Sequence, residues 1–430
     1  MFSVSDEAST PGSTNGPVTT EVLVIGGGPA GAAAGYWLAS LGHDVTIVER
    51  KTFPRDKTCG DGLTPRAVHQ LEQMGLAQPL AAFHRHDGLR VTGMGREMEL
   101  QWPSHSVYPQ HGYVVRRREL DQMVAENARR AGARVLLGHE AVSPIVERGF
   151  VRGATVSVLG TATTRDIHAR YVVVADGANS RFGRAVGTFR TPEWPRGAAI
   201  RTYWKTPRHD EPLIEAALDV KDRNGHSMPG YGWIFPVGDG TVNIGVGVLS
   251  TFRDFKSVNT SRLLEAYAHQ VAERWEIDPT NPEHTPVRGR IPMGGSVGPN
   301  AGPSFLVVGD AAGSANPFNG EGIDYAYETA RMAAHVLHEA LATNDPSVLQ
   351  QYPRQIEDEY AEYFKVARLF ARVIGRPAVM RELTRTGMHS RTLMEWMLRI
   401  SANLLREGEQ GPAELAYKAA AKIVKLAPNA

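Results

Sequence analysis

The chain has 430 residues, 42% of them apolar, and carries 47 Lys and Arg against 46 Asp and Glu. That length allows two or three cores, and a net charge of +1 gives no electrostatic footprint for nucleic acid. One cysteine, Cys59, excludes an internal disulfide framework and fits a reducing, cytoplasmic compartment, and no apolar run reaches the roughly 18–20 residues of a membrane-spanning helix.

Residues 1–19 are rich in Ser, Thr, Gly and Pro and lack an apolar core, which predicts a disordered lead rather than a signal peptide. Residues 21–50, EVLVIGGGPAGAAAGYWLASLGHDVTIVER, predict a β-α-β unit: a buried strand over 22–25, a helix over 30–41 stopped by Gly42, and a strand over 45–48 that ends on Glu49. Gly26, Gly28 and Gly31 stand in GxGxxG spacing between them. Gly26 permits the tight turn, Gly28 lets backbone approach a pyrophosphate, and Gly31 lets helix and strand pack closely. The helix N-terminus offers free N–H groups to phosphate. Glu49 can accept from two ribose hydroxyls and disfavours a 2′-phosphate, so NAD or FAD is preferred over NADP.

Pro54 and the Gly60/Gly62 pair mark an ordered loop, and Pro65 starts a helix that Gly75 ends. His84 and His86 form a His-x-His pair with no third ligand nearby and read as a surface loop rather than a metal site. Strands follow over 86–111, then a strand, a helix with Leu120, Met123, Val124 and Ala128 on its apolar face, and another strand. Residues 142–175 read as a β meander that leads into Asp176-Gly177 and a short helix. Alternating patterns over 196–250 predict a larger sheet, 258–276 a helix, and 305–308 a last buried strand before Asp310 and a long helix. Residues 346–430 are mostly helical. Glu49, Asp176 and Asp310 each follow a buried strand, and at the carboxyl edge of one parallel sheet they would share a single crevice. Only Gly26 to Gly31 has full dinucleotide spacing, so one nucleotide is held permanently, which points to FAD more than NAD.

GGGPAG, ADGANS and GDAAGSANPFNGEGID together resemble the flavoprotein class of aromatic hydroxylases, halogenases and geranylgeranyl reductases. KTCGDGL (57–63) and GYGWIFP (230–236) resemble the Cys-Gly-x-Gly loop and the Tyr-x-Trp-x-Phe-Pro motif of the geranylgeranyl reductase family. The resemblance covers about residues 20 to 345 and departs at Met228, where that family usually has proline; Pro229 is shifted by one. FPRDKTCGDGLTPRAV, PGYGWIFP, VNIGVG, IPMGG and NGEGIDY look like the branch that saturates the second isoprene unit of a menaquinone side chain; sister enzymes reduce other prenyl chains.

The resemblance implies an α/β fold: an FAD-binding Rossmann-like domain of glutathione-reductase/hydroxylase type (20–85, 112–190 and 285–345), a β-rich substrate domain (86–111 and 191–284) and a helical C-terminal region (346–430). It implies that Asp310 bonds the ribityl chain, that Gly322 and Ile323 give backbone contacts near the isoalloxazine, and that Arg117 lies on the adenosine/pyrophosphate side. It places Ala141 at the adenine, Gly60, Asp61 and Leu63 at the flavin, and Arg50 beside the ribose acid. The implied partners are a lipid-soluble polyprenyl substrate and an electron donor for which NAD(P)H is the candidate.

Tyr231, Trp233 and Phe235 alternate along a strand and share a face, either as core or as an aromatic wall for a long alkene. Such a chain is held by burying CH₂ groups at ~0.8 kcal/mol each. Cys59 reads either as a small buried residue or as a group beside the flavin; with Tyr231 and Trp233 it makes up the candidate catalytic set, and for the proton donor Cys59, an ordered water or a tyrosine are the candidates. At the C-terminus, Leu393, Met397, Ile400 and Leu404 share one helical face, and in PAELAYKAAAKIVKL the lysines 418, 422 and 425 form a stripe among Leu415, Tyr417, Ala419, Ile423, Val424 and Leu426. These helices either pack on the domain or dock peripherally on the cytoplasmic face of an anionic membrane. The alternatives to a prenyl reductase are a flavin monooxygenase or halogenase, the latter lacking its Trp-x-Trp-x-Ile-Pro pattern here, and a non-catalytic flavin-holding lipid carrier.

Overall fold

The computed structural model describes residues 18–228, 230–406 and 408–425. Most of the predicted lead (1–17), Pro229 and Leu426 lie outside the described residues.

A seven-stranded sheet carries the glycine turn. Its order is Arg134–Leu137, Val45–Glu49, Val18–Ile25, Thr164–Val174, Phe150–Val158 and His139–Glu147, with Phe305–Val307 also paired to Thr164–Val174. The strands around Val18–Ile25 and Phe305–Val307 are parallel, while the 139–158 hairpin runs antiparallel. Period-2 alternation splits the central strand: Val22 and Val24 pack under the helices, Leu23 and Ile25 against Val151, Val156 and Phe182. Helix Pro29–Ser40 covers the first face beside Arg117–Arg130 and Ile323–Thr343. The central strand begins at Val18, because its ladder with the long strand extends to Val18↔Ile167; Val18 and Thr19, which the sequence assigned to the lead, are held by backbone pairing.

A second seven-stranded sheet has the order Val287–Pro292, Arg196–Lys205, Thr241–Leu249, Gly230–Pro236, Leu213–Ala217, Gly88–Gly93 and Arg96–Gln101. The first of these pairs with 196–201 throughout, so the boundary expected at residue 285 moves beyond Pro292. Helix Thr260–Trp275 covers one face with Tyr267 and Trp275 over Ile234, Ile244 and Val246. The other face looks toward the glycine turn. His84–His86 is a strand, not a surface loop, and His86 is fully buried. Trp102 Nε1–H donates to its Nδ1 at 3.1 Å, its Nε2 bonds the Leu63 carbonyl at 3.2 Å, and burial pushes its pKa down to about 3, so it stays neutral.

Four helices, Gln351–Ile374, Pro377–Gly387, Arg391–Ser401 and Pro412–Lys425, close the remaining side. The whole is a Rossmann-like α/β domain with a second sheet packed over it and a helical C-terminal region. Among the described residues no helix is long and apolar enough to cross a membrane.

Candidate active site

The carboxyl edge of the first sheet, the inner face of the second and the C-terminal helices enclose one cavity of about 1350 Å³. That exceeds the ~300–1,000 Å³ of an ordinary single-ligand pocket and leaves room for two occupants.

At one end lies the glycine turn. Gly26 has φ +102°, and a Cβ there would sit 2.5 Å from the Ala175 carbonyl oxygen. A Cβ on Gly31 would sit 1.8 Å from the Gly26 oxygen, so Gly31 seals helix to turn and does not line the cavity. Gly28 does line it, and caps a helix N-terminus that has no side-chain cap. Glu49 Oε2 accepts the Gly27 amide and Oε1 the Lys51 amide, each at 2.9 Å. Arg50, Ala141 and Arg117 also line this end. Arg117 is not part of a solvated basic run: it is 3% exposed and grips Asp121 through two bonds of 2.8 and 2.9 Å. Arg55, which the sequence reading passed over, bridges Asp121 at 2.9 Å and Glu49 at 3.6 Å, with its guanidinium beside Gly28.

In the middle of the cavity stand Asp176, Asp310, Gly322 and Ile323. Asp176 Oδ2 accepts the Phe182 amide at 3.0 Å while its buried Oδ1 has no partner among the described residues, and burial pushes its carboxyl up. Asp310 pairs with Lys57 at 3.3 Å. Gly322 caps helix Ile323–Thr343, a second helix start with no side-chain cap.

The 57–63 loop crosses from here to the second sheet. Cys59 and Gly60 line the cavity; Asp61 and Leu63 do not. Leu63 is buried in the core beneath the helices. Asp61, fully buried at φ +68°, accepts from Tyr203 O–H at 2.5 Å, Asn243 Nδ2 at 2.7 Å and the Arg117 amide at 3.3 Å. The Cys59 carbonyl accepts from Arg201 Nε and Asn243 Nδ2, both at 3.1 Å. Asp61 is therefore the clamp that holds the loop against the second sheet, which corrects its expected place at the flavin. Burial pushes the Cys59 thiol up, with Arg117 opposing.

Beyond the loop the cavity turns apolar. Tyr231, Trp233 and Phe235 line it side by side, while Ile234 points into the opposite core. Trp233 Nε1 donates to Asn243 Oδ1 at 3.0 Å, and Tyr231 O–H to the Asn319 carbonyl at 2.6 Å. Leu89, Val91, Leu100 and Ile214 continue this wall, and Met380, Leu393, Met394 and Met397 face it from the helices. Leu393 and Met397 thus wall the cavity, and Leu404 is buried in the neighbouring core, so that face is packed rather than turned outward.

The first lobe fits FAD: the backbone approach at Gly28, two uncapped helix starts, the partly buried cation Arg55 and the unpartnered Asp176 oxygen supply donors and acceptors for a dinucleotide. Fold and cavity together define a flavoprotein. Residues 19–359 match the family described as FAD binding domain. The chain is 38% identical to the menaquinone reductase of Mycobacterium tuberculosis over 95% of its own length and 97% of the relative's. It is 31% identical to digeranylgeranylglycerophospholipid reductase 1 of Methanopyrus kandleri, over 82% and 90%. Among solved structures, a geranylgeranyl bacteriochlorophyll reductase-like protein from Thermoplasma acidophilum superposes with a TM-score of 0.75 at 23% identity, covering 94% of this chain and all of that one. A flavin-dependent brominase superposes at 0.74 and 18% identity, with 95% and 100% covered. The chain belongs to the FAD-binding-domain family, on its menaquinone and geranylgeranyl reductase side, and its cofactor is FAD.

Proposed function

We propose that the chain is an FAD-dependent oxidoreductase that saturates one carbon–carbon double bond, in the second isoprene unit, of the menaquinone side chain. The observation that carries this reading is the apolar lobe that opens from the dinucleotide cradle within one cavity. A polyprenyl chain needs such a lobe, and the near full-length likeness to menaquinone reductases supports the same substrate.

Bound and reduced, FAD would supply the hydride for the alkene. In this reading Glu49 and Arg50 serve the ribose, Ala141 the adenine, Gly26 and Gly28 the pyrophosphate with Arg55 and Arg117 nearby, and Asp310 with Gly322 and Ile323 the ribityl and isoalloxazine. Cys59 and Gly60 approach the flavin, while Tyr231 and Trp233 orient the alkene and exclude water. NAD(P)H is the proposed electron donor. Leu415 and Ile423, 52% and 65% exposed among Lys418 and Lys422, support peripheral docking on the cytoplasmic face of the membrane, where the quinone is dissolved.

Mass spectrometry of quinones from cells with and without this gene tests the proposal. The species heavier by two hydrogens is expected to vanish with the gene, and an unchanged quinone profile overturns the reading. The purified enzyme should work without oxygen, which a monooxygenase cannot do.

A further inference from the structure

Glu321 and Asp324 stand where the 309–322 segment enters helix Ile323–Thr343, and both line the cavity. The segment is rigid at this point. Asn319 Nδ2 donates to Glu321 Oε2 at 2.8 Å, the Glu321 amide returns a bond to Asn319 Oδ1 at 2.9 Å, and the Glu321 carbonyl accepts the Asn316 amide at 2.7 Å. Tyr231, on the aromatic wall, bonds the Asn319 carbonyl, so this acid is tied to the strand that faces the alkene lobe. Behind it, Asp324 is 1% exposed and neither carboxyl oxygen has a hydrogen-bond partner among the described residues.

The charges in this corner do not cancel if every acid is ionised. Arg66 is the cation of the cluster, and it is committed: Nη2 to Glu328 Oε2 at 2.7 Å and Nη1 to the Asn403 carbonyl at 3.0 Å. Tyr360 O–H completes the solvation of Glu328 at 2.6 Å. Three carboxyls thus share one guanidinium that serves Glu328. Among the described residues neither Glu321 nor Asp324 has a salt bridge. Two carboxylates without a counter-ion, one of them fully buried, cannot both stay ionised, so the pair retains a proton.

We propose that Glu321 stores the proton consumed by the reduction and acts as the catalytic acid, with Asp324 the protonated carboxyl packed behind it. This rests on the alkene-reductase reading above. The reaction breaks one π bond and forms two C–H bonds. One would take its hydride from the reduced flavin; the other takes the proton of Glu321, whose carboxyl faces the Thr64 hydroxyl as well as the Asn319 amide. The carboxylate left behind recovers a proton from solvent.

Burial pushes Glu321 up to about 7, and burial and the neighbouring carboxylates raise Asp324 well above the usual carboxylate range. The other titratable groups facing this corner are Tyr231, Tyr325, Tyr360, Tyr363 and Tyr108, all raised by burial, His69, lowered by burial, and Cys59, raised. An acid must be protonated to act, so turnover should be full below about 7 and fall as pH rises through it.

The test compares FAD-loaded wild type, Glu321→Gln and Asp324→Asn, reduced anaerobically with dithionite and given a polyprenyl menaquinone. Glu321→Gln is expected to keep the flavin spectrum, to saturate the lipid about 100-fold more slowly, and to lose the limb near neutral pH. Asp324→Asn, which puts a neutral amide where a neutral carboxyl stood, should leave that limb in place. Independently of turnover, the infrared carbonyl band of a protonated carboxyl should titrate out near neutral pH in substrate-free wild type and be missing in Glu321→Gln. Wild-type turnover and pH profile in Glu321→Gln, or an identical carbonyl band, overturns the proton assignment and leaves the reductase standing. A wild type that gives no saturated lipid overturns the reductase reading itself.

Discussion

At the scale of single residues, the Cys-Gly loop separates what a side chain touches from what its backbone does. The Cys59 carbonyl is held by Arg201 and Asn243, and neither bond involves the thiol. Cys59→Ser should therefore keep the loop and a yellow, FAD-loaded protein while losing alkene reduction; if turnover survives, the sulfur only packs. Asp61 behaves in the opposite way. Asp61→Ala would strip the acceptor from Tyr203, Asn243 and the Arg117 amide, at about 1–3 kcal/mol for each buried group left unpaired. A clear fall in melting temperature with loss of FAD is the expected outcome, and a variant as stable and as yellow as wild type would sink the clamp. Gly26 and Gly31 were legible in the sequence because their job is steric and local. The clamp was not, because Tyr203 and Asn243 lie 142 and 182 positions from Asp61. Arg55 and Glu321 stood within stretches already singled out for resemblance, but their partners across the cavity appear only on folding.

At the scale of elements, alternation in GYGWIFP was enough to put three aromatic rings on one face, since a strand leaves no other arrangement. What it could not show is the surface beneath them. Gly245 lies under Trp233, and a Cβ there would stand 2.0 Å from Trp233 Cζ2. Gly245→Ala should tilt the indole away from Asn243 and into the lobe, with an overpacking strain of about 1–3 kcal/mol. Its readout is an apparent KM for the polyprenyl substrate raised roughly 10-fold with the flavin spectrum unchanged. An unaltered KM would show that the indole does not shape the lobe. The helix Arg391–Ser401 makes the complementary case: its apolar face was legible, but a helical period states only that a face is apolar, not whether a cavity, a core or a lipid surface covers it.

At the scale of the molecule, the apolar lobe must be filled by a chain that arrives from a bilayer, and the C-terminal helices are where the two could meet. Helix Pro412–Lys425 packs Ala421 and Val424 on Val366, which leaves Leu415 and Ile423 facing outward with Lys418 and Lys422. On helix Pro377–Gly387, Leu383 lines the cavity yet is 46% exposed, so it sits at the rim. Deleting the last helix would uncover Val366 and unsettle the wall of the cavity, and weaker membrane binding would then have two causes. Leu415→Ser with Ile423→Ser changes only outward groups and leaves that packing alone. Burying such a side chain contributes about 1.5–3 kcal/mol when complete, so the pair should lower flotation with anionic vesicles by about 10-fold or more even if only half of that is realised. Lys418→Gln with Lys422→Gln should remove the salt-sensitive part, about 1 kcal/mol per lysine near the surface. Both double variants should reduce detergent-dispersed substrate at the wild-type rate, because none of these side chains lines the cavity. Undiminished flotation of both pairs would place the membrane contact elsewhere, and the exposed rim at Leu383 would be the next surface to alter.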